Sequence, residues 1–172
     1  KLPAGNPRDK VVLGSMVTLE AAEKMDGIIA DAMAKGGKVI AGGTRDGSIV
    51  TATVIDHVTP DMLIYQEESF GPVKPIIRVK DDAEAIRVAN DTAYGLSAAV
   101  YSANISRALK VADQIESGIC HINGPTVGDE AQMPFGGVKD SGYGRFGGKA
   151  GIDSFTSTRW VTIEDPTQHY PF

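Results

Sequence analysis

Between Val73 and Ile122 the chain alternates extended and helical segments so closely that few folds can accommodate it. Val73 to Val79 reads as a strand, and Asp82 to Asn90 as a helix opened by an Asp81-x-x-Glu84 capping pattern. Leu96 to Tyr101 reads as a second strand, and Ile105, Ala108, Leu109, Ala112 and Ile115 form a helical stripe closed by Gly118. Ile119 to Ile122 is a third short strand. Strand, helix, strand, helix, strand with short connections implies right-handed crossovers and a parallel sheet, so the class is α/β. In such sheets ligands sit at the carboxyl ends of the strands.

Upstream, Leu19, Ala22, Met25, Ile29 and Met33 recur at spacings of three and four, which predicts a helix from Thr18 to Lys35 ended by Gly36-Gly37. Val39 to Ala41 and Ile49 to Val58 read as extended runs, broken at Thr59-Pro60-Asp61. Downstream the pattern changes. Residues 134–148 hold six glycines, followed by a short helix to Phe155 and a strand from Thr156 to Ile163 that carries Trp160. A terminal strand of this kind needs a neighbour to satisfy its backbone.

Composition narrows the partners. A chain of 172 residues, 42% hydrophobic, with net charge −5, suits a globular protein and argues against nucleic acid as a partner. No apolar run approaches the roughly 20 residues that span a bilayer, and one cysteine excludes an intrachain disulfide. With no targeting segment visible, these features point to the cytoplasm. The opening Leu2-Pro3-Ala4-Gly5-Asn6-Pro7 is turn-rich and follows Lys1 rather than a methionine, so upstream residues are expected.

Three separated segments carry a family resemblance: Glu67-Glu68-Ser69-Phe70-Gly71-Pro72-Val73, then Ala93-Tyr94-Gly95-Leu96-Ser97-Ala98, then Asn123 with Pro134-Phe135-Gly136-Gly137-Val138-Lys139-Asp140-Ser141-Gly142-Tyr143-Gly144-Arg145. In order and separation they resemble the C-terminal part of the aldehyde dehydrogenase superfamily, over essentially the whole chain. The resemblance implies a catalytic-domain portion with a parallel sheet and flanking helices over residues 1–155. It also implies an oligomerisation strand and tail over residues 156–172, serving a homodimer or homotetramer. The implied reaction begins with a cysteine thiolate attacking an aldehyde; hydride then passes to NAD, or to NADP, and a glutamate-activated water releases the acid.

Residue by residue, the resemblance makes Glu68 the ligand of the nicotinamide ribose, Phe70 the aromatic beside the nicotinamide, and Lys24 a neighbour of the adenosine ribose. A ribose diol offers two O–H donors, and an ionised carboxylate offers two acceptor oxygens. Glu67 reads as a solvated charge. Ala21 stands where many members have a glutamine, one helical turn from Lys24 on the same face. On the aldehyde side Phe135, Asn123 and Gly124 are the expected substrate contacts.

The 123–133 loop and Phe146, where most of the family has glutamate, resemble the salicylaldehyde, vanillin and benzaldehyde dehydrogenases, which implies an aromatic aldehyde. A semialdehyde dehydrogenase or an acyl phosphate reductase is the alternative within the superfamily. A non-catalytic short chain kept for assembly or ligand binding is the alternative outside it.

Two tempting readings fail on the residues. Gly142-Tyr143-Gly144-Arg145-Phe146-Gly147 satisfies G-x-G-x-x-G, but a dinucleotide fingerprint needs a strand leading into its first glycine, and residues 134–141 are too polar and glycine-rich for a buried strand. Cys120 lies within the strand Ile119 to Ile122 and is expected to be a buried, inert thiol. The family nucleophile sits in a Gly-Gln-x-Cys-like context that these residues do not contain, so no catalytic residue is assigned. Nor do Cys120 and His121 pair on a metal, because successive strand side chains point to opposite faces. His57 and His169 have no partner at ligand spacing.

Overall fold

A computed structural model describes residues 2–169; Lys1 and residues 170–172, and with them the outer ends of the two expected segments, lie outside the described residues. The chain divides at Asp81–Asp82 into two compact units.

In the first unit, helix α1 (Leu19–Ala34) starts where the Thr18 hydroxyl accepts from the Ala21 N–H at 3.0 Å. It ends ahead of Gly36, whose φ of 97° suits glycine. Its buried face is Ala22, Met25, Ile28, Ile29 and Ala32. That stripe is rotated from the expected one: Leu19 and Met33, counted there from their spacing, are 52% and 57% exposed. They flank the face at the two helix ends, where no neighbouring element covers them.

Strand β1 (Lys38–Ala41) is followed by β2 (Arg45–Asp46), β3 (Ile49–Val50) and β4 (Thr53–Asp56); helix α2 (Leu63–Gln66) and β5 (Val73–Pro75) complete the unit. The sheet order is β1-β4-β5, with β1 antiparallel and β5 parallel to β4. The expected run from Ile49 to Val58 is two strands. Ile49–Val50 turns back through Gly47, at φ 55°, to pair with Arg45–Asp46, while Thr53–Asp56 joins the sheet. Side-chain pattern reports extended backbone but not which strand it pairs with. Strand β5 ends at Pro75 on the sheet edge, short of the expected Val79, although Ile76 still donates to the Ile55 carbonyl at 2.7 Å and accepts from Val58 N–H at 3.2 Å.

The core packs Met25 and Ile28 of α1 against Val50, Ile55, Met62 and Val73. Burying each such side chain contributes roughly 1.5–3 kcal/mol. Asp31, held by Lys35 at 2.6 Å, accepts from the Leu63 N–H at 2.8 Å and so fixes the start of α2 against α1.

At the end of β4 the Asp56 carboxylate takes a two-pronged guanidinium contact from Arg78, 3.0 Å at Nε and 2.5 Å at Nη2, and accepts from the His57 N–H at 2.7 Å. His57 itself stands at φ 58°.

The second unit runs α3 (Asp82–Asn90), β6 (Tyr94–Gly95), β7 (Ser97–Val100), α4 (Ile105–Ala112), β8 (Ile119–Ile122), β9 (Val138–Lys139) and α5 (Gly148–Ser154). Strands β7 and β8 are parallel and joined through α4, the βαβ arrangement expected of the alternation. Asn104 caps α4, and Arg107 grips Asp82 of α3 at 2.7 and 2.5 Å. The first crossover differs from expectation: β5 pairs with β4 and β7 with β8, so the strands form two sheets rather than one. Alternation shows that parallel pairing is available; only tertiary contacts choose the partner.

Residues 156–163, expected as a strand, form no ladder among the described residues, and Trp160 and Ile163 are 86% and 94% exposed. A strand is defined by a partner's row of N–H and C=O groups, and this chain provides none there.

Arg78 beside Asp56 holds that carboxyl at about 2, below its ordinary 3.8. A depressed carboxyl contributes stability that is present above its unfolded value and lost as pH falls through the folded one. Urea titrations of parent and Asp56→Asn are therefore expected to differ in midpoint at pH 6, with the gap closing between about pH 4 and pH 2. A gap independent of pH would contradict the ion-pair account.

Candidate functional site

In the first unit the segment after α2 is pressed onto α1. Glu67 leaves the helix in an extended conformation, its N–H bonded to the Leu63 carbonyl at 2.9 Å. Its carboxylate pairs with the Lys24 ammonium at 3.2 Å. Gly71 then passes so close to α1 that a Cβ there would collide with Met25 Sδ, and Met25 is only 1% exposed. Glycine there lets the segment lie against the buried thioether without displacing it. The Pro72 carbonyl accepts from Thr53 N–H at 2.8 Å, and Val73 enters β5 fully buried.

Between these fastenings stand Glu68 and Phe70. Phe70 occupies the left-handed region at φ 49° and is 83% exposed, so it is not an anchor of the core. A bulky residue held at positive φ with its ring in solvent carries a local cost of about 1–3 kcal/mol with no packing return in this unit. Glu68 is exposed and, among the described residues, its carboxylate has no hydrogen-bond or ion-pair partner. An acceptor pair and an aromatic face are thus displayed two residues apart. Lys24, one helical turn beyond Ala21 on α1, is engaged by Glu67 rather than free.

In the second unit a cavity of about 500 Å³ opens between the start of β8, at Ile119, Cys120 and His121, and a loop wall that includes Met133 and Phe135. Phe135 exchanges two backbone hydrogen bonds with Phe146, each 2.7 Å. In such a directly hydrogen-bonded antiparallel pair the two side chains leave the same face. Arg145, next along, points its guanidinium to the Gly137 and Gly144 carbonyls at 2.8 and 2.7 Å.

The glycines here permit packing. A Cβ at Gly118 would collide with the Gly136 carbonyl oxygen, and one at Gly136 would stand 2.5 Å from the Gly144 oxygen. The G-x-G-x-x-G segment follows β9, which is antiparallel to β6, so no βαβ unit leads into it.

Asn123 and Gly124 do not line this cavity. Asn123, at φ 57°, accepts from Ser102 N–H at 2.8 Å and donates to the Ser102 carbonyl at 3.0 Å, bracing the chain after β7. A Cβ on Gly124 would meet His121 Cβ at an ordinary 3.6 Å. His121, weighed from the sequence only as a metal partner of Cys120, has a buried Nε2 without a partner among the described residues. Nothing in the local pattern signals it, because the loop that covers its ring, at Gly128, comes from further along the chain. Cys120 is half-buried and burial pushes its thiol pKa up, away from the thiolate a nucleophile needs. Among the described residues no three metal-ligating side chains cluster, and no helix is long and apolar enough to cross a membrane.

The family model of the aldehyde dehydrogenase family matches residues 1–161. The chain belongs to the aldehyde dehydrogenase family. It is 52% identical over 171 residues to a vanillin dehydrogenase of Pseudomonas sp. strain HR199, and 50% identical over 174 residues to a salicylaldehyde dehydrogenase of Pseudomonas putida. These alignments cover 99% and 100% of this chain and 36% of each relative.

Among solved aldehyde dehydrogenases, the salicylaldehyde dehydrogenase of Pseudomonas putida G7 complexed with salicylaldehyde superposes with a TM-score of 0.91 at 50% identity, covering 100% of this chain and 36% of that one. An aldehyde dehydrogenase of Mycobacterium tuberculosis complexed with NAD+ superposes with a TM-score of 0.86 at 33% identity, covering 98% of this chain and 36% of that one.

For an aldehyde dehydrogenase chain, the glycine contacts behind Phe135 are structural requirements. Gly118→Ala is expected to destabilise the protein by about 1–3 kcal/mol, read from the urea midpoint. A midpoint equal to the parent's would show that the close approach is not needed.

Proposed function

We propose that these residues are the C-terminal portion of an NAD-dependent aldehyde dehydrogenase, with NADP as an accepted alternative, that oxidises an aromatic aldehyde to its acid in the cytoplasm. The observation that carries the aromatic reading is the Phe135–Phe146 pair, which sets two phenyl rings on one face with Phe135 in the cavity wall. A volume of about 500 Å³ lies within the usual range of small-molecule sites. The salicylaldehyde and vanillin dehydrogenases named above support the same substrate class.

The residues in hand fit a nicotinamide dinucleotide. Glu68 is an acceptor without an internal partner, suited to a ribose diol, and Phe70 offers an exposed ring for a flat heteroaromatic. Lys24 serves the adenosine ribose. When bound, the dinucleotide supplies the hydride acceptor. The work of this chain is to orient that acceptor and to shape the aldehyde pocket, since hydride transfer depends on near-contact geometry.

No residue here is assigned as nucleophile or general base; Cys120, half-buried with a raised pKa, is a poor nucleophile, and we place both groups in the rest of a longer enzyme. Within that enzyme, residues 1–155 form part of the catalytic domain. Residues 156–172 act as the oligomerisation strand and tail, pairing with a neighbouring subunit in a homodimer or homotetramer. The exposure of Trp160, Val161 and Ile163 supports this.

A panel of aldehydes tested on the complete enzyme decides the substrate class. Benzaldehyde-type substrates are expected to give the higher kcat/KM, and Phe146→Ala to lower the aromatic-to-aliphatic ratio about 3- to 10-fold, the range expected for one aromatic contact. Higher kcat/KM for aliphatic aldehydes in the parent would refute the aromatic assignment. In the same enzyme Glu68→Gln is expected to leave the melting temperature unchanged and slow hydride transfer by about tenfold, since it removes a charged acceptor. An unchanged single-turnover rate would remove Glu68 from the cofactor site.

A further inference from the structure

Glu67, a charged residue of the 67–72 segment left without a role, forms an ion pair with Lys24 of α1. The segment is fastened to α1 at two points four residues apart. At one, the Glu67 carboxylate meets the Lys24 ammonium at 3.2 Å. At the other, Gly71 is seated on Met25, the residue after Lys24. Glu68, Ser69 and Phe70 span the interval, with one long Ser69 hydroxyl contact to the Val73 carbonyl at 3.5 Å. Their presentation therefore depends on the two ends.

We infer that Glu67 is a positioning residue of the cofactor site. By pairing with Lys24 it closes the N-terminal end of a two-point clamp that holds Glu68 and Phe70 outward while fixing the lysine on α1. The inference rests on the assignment of Glu68 and Phe70 to the nicotinamide end proposed above.

The physical case is one of reach and freedom. Lys24 carries a four-carbon stem with many rotamers, and pairing confines it. Glu67 would otherwise leave the start of the loop held by its single backbone bond to Leu63. Both partners are about half exposed, at 51% and 47%, so the pair adds little to global stability and is weakened by salt. A contact that stabilises little but sets the position of two ligand-facing side chains is expected to show in kinetics rather than in melting.

The test uses the complete enzyme at low ionic strength with Glu67→Gln, the charge exchange Lys24→Glu/Glu67→Lys, and Glu68→Gln as reference. The readouts are single-turnover hydride transfer, KM for NAD, and the melting temperature. Glu67→Gln is expected to slow hydride transfer and raise KM for NAD by about threefold each, with melting unchanged and the effect fading at high salt. The charge exchange refastens the loop. It is expected to bring hydride transfer back to within about twofold of the parent, while KM stays raised because the ammonium has left α1.

Parental kinetics for Glu67→Gln beside an impaired Glu68→Gln would overturn the clamp alone. An impaired Glu67→Gln beside a parental Glu68→Gln would overturn the clamp together with the ribose assignment it serves. A charge exchange as slow as Glu67→Gln would likewise overturn it.

Discussion

The approach of Gly71 to Met25 governs the architecture of the first unit. Met25 is fully buried in the centre of α1's apolar face, so its position is fixed by the core and the loop must accommodate it. A Cβ added there would have to push the buried Met25 thioether aside. Two consequences follow along the chain. Val73 is delivered into β5 in register with Thr53 of β4, which lies in the same core as α1. Phe70, immediately before, is turned to positive φ with its ring in solvent. One close contact thus connects core packing to the display of Glu68 and Phe70, the pair through which a dinucleotide is proposed to be held.

The second unit is built on a different economy. Among its described residues Ala108 alone is a fully buried apolar side chain, and it is small, while Leu109, Val127, Met133, Phe146, Ile152 and Phe155 remain half or more exposed. Its order comes from backbone proximity: Gly118 against Gly136, Gly136 against Gly144, and Gly95 N–H on the Ser141 hydroxyl at 2.9 Å. Lys139 adds ties to the Asn90 and Thr92 carbonyls at 2.8 and 3.2 Å and to Glu116 at 2.7 Å. These contacts hold the backbone around Phe135 while leaving apolar surface uncovered.

Much of this was legible from the residues where local chemistry decides the outcome. Thr18 and Gly36 bracket α1, Asp82–Asn90 is helical as read, and Ile119–Ile122 is a strand with the bounds expected. The family resemblance rested on segments that also proved to be tight turns and close approaches, where few residue types fit. The pairing of strands was not legible, because an extended run such as Ile49 to Val58 reads the same whether it joins one partner or folds back through Gly47. Likewise the extended pattern of 156–163 does not say whether a pairing strand is present, and among the described residues those positions form no ladder. Within the candidate site, Phe135 lines the cavity, whereas Asn123 is drawn to Ser102 and a loop residue from further along the chain approaches the His121 ring. Glu67 looked like one more solvated charge until its distance to Lys24 was known.

The central claim is that Glu68 and Phe70 are held outward to receive a nicotinamide nucleotide for chemistry carried out by residues elsewhere in the enzyme. The most direct measurement is the crystallographic distance, in the complete enzyme with NAD bound, from the Glu68 carboxylate to the ribose hydroxyls of the nicotinamide nucleotide. The account requires about 2.5–3.0 Å, with the Phe70 ring beside the nicotinamide. A ribose held by other residues, with Glu68 still in solvent, would contradict it.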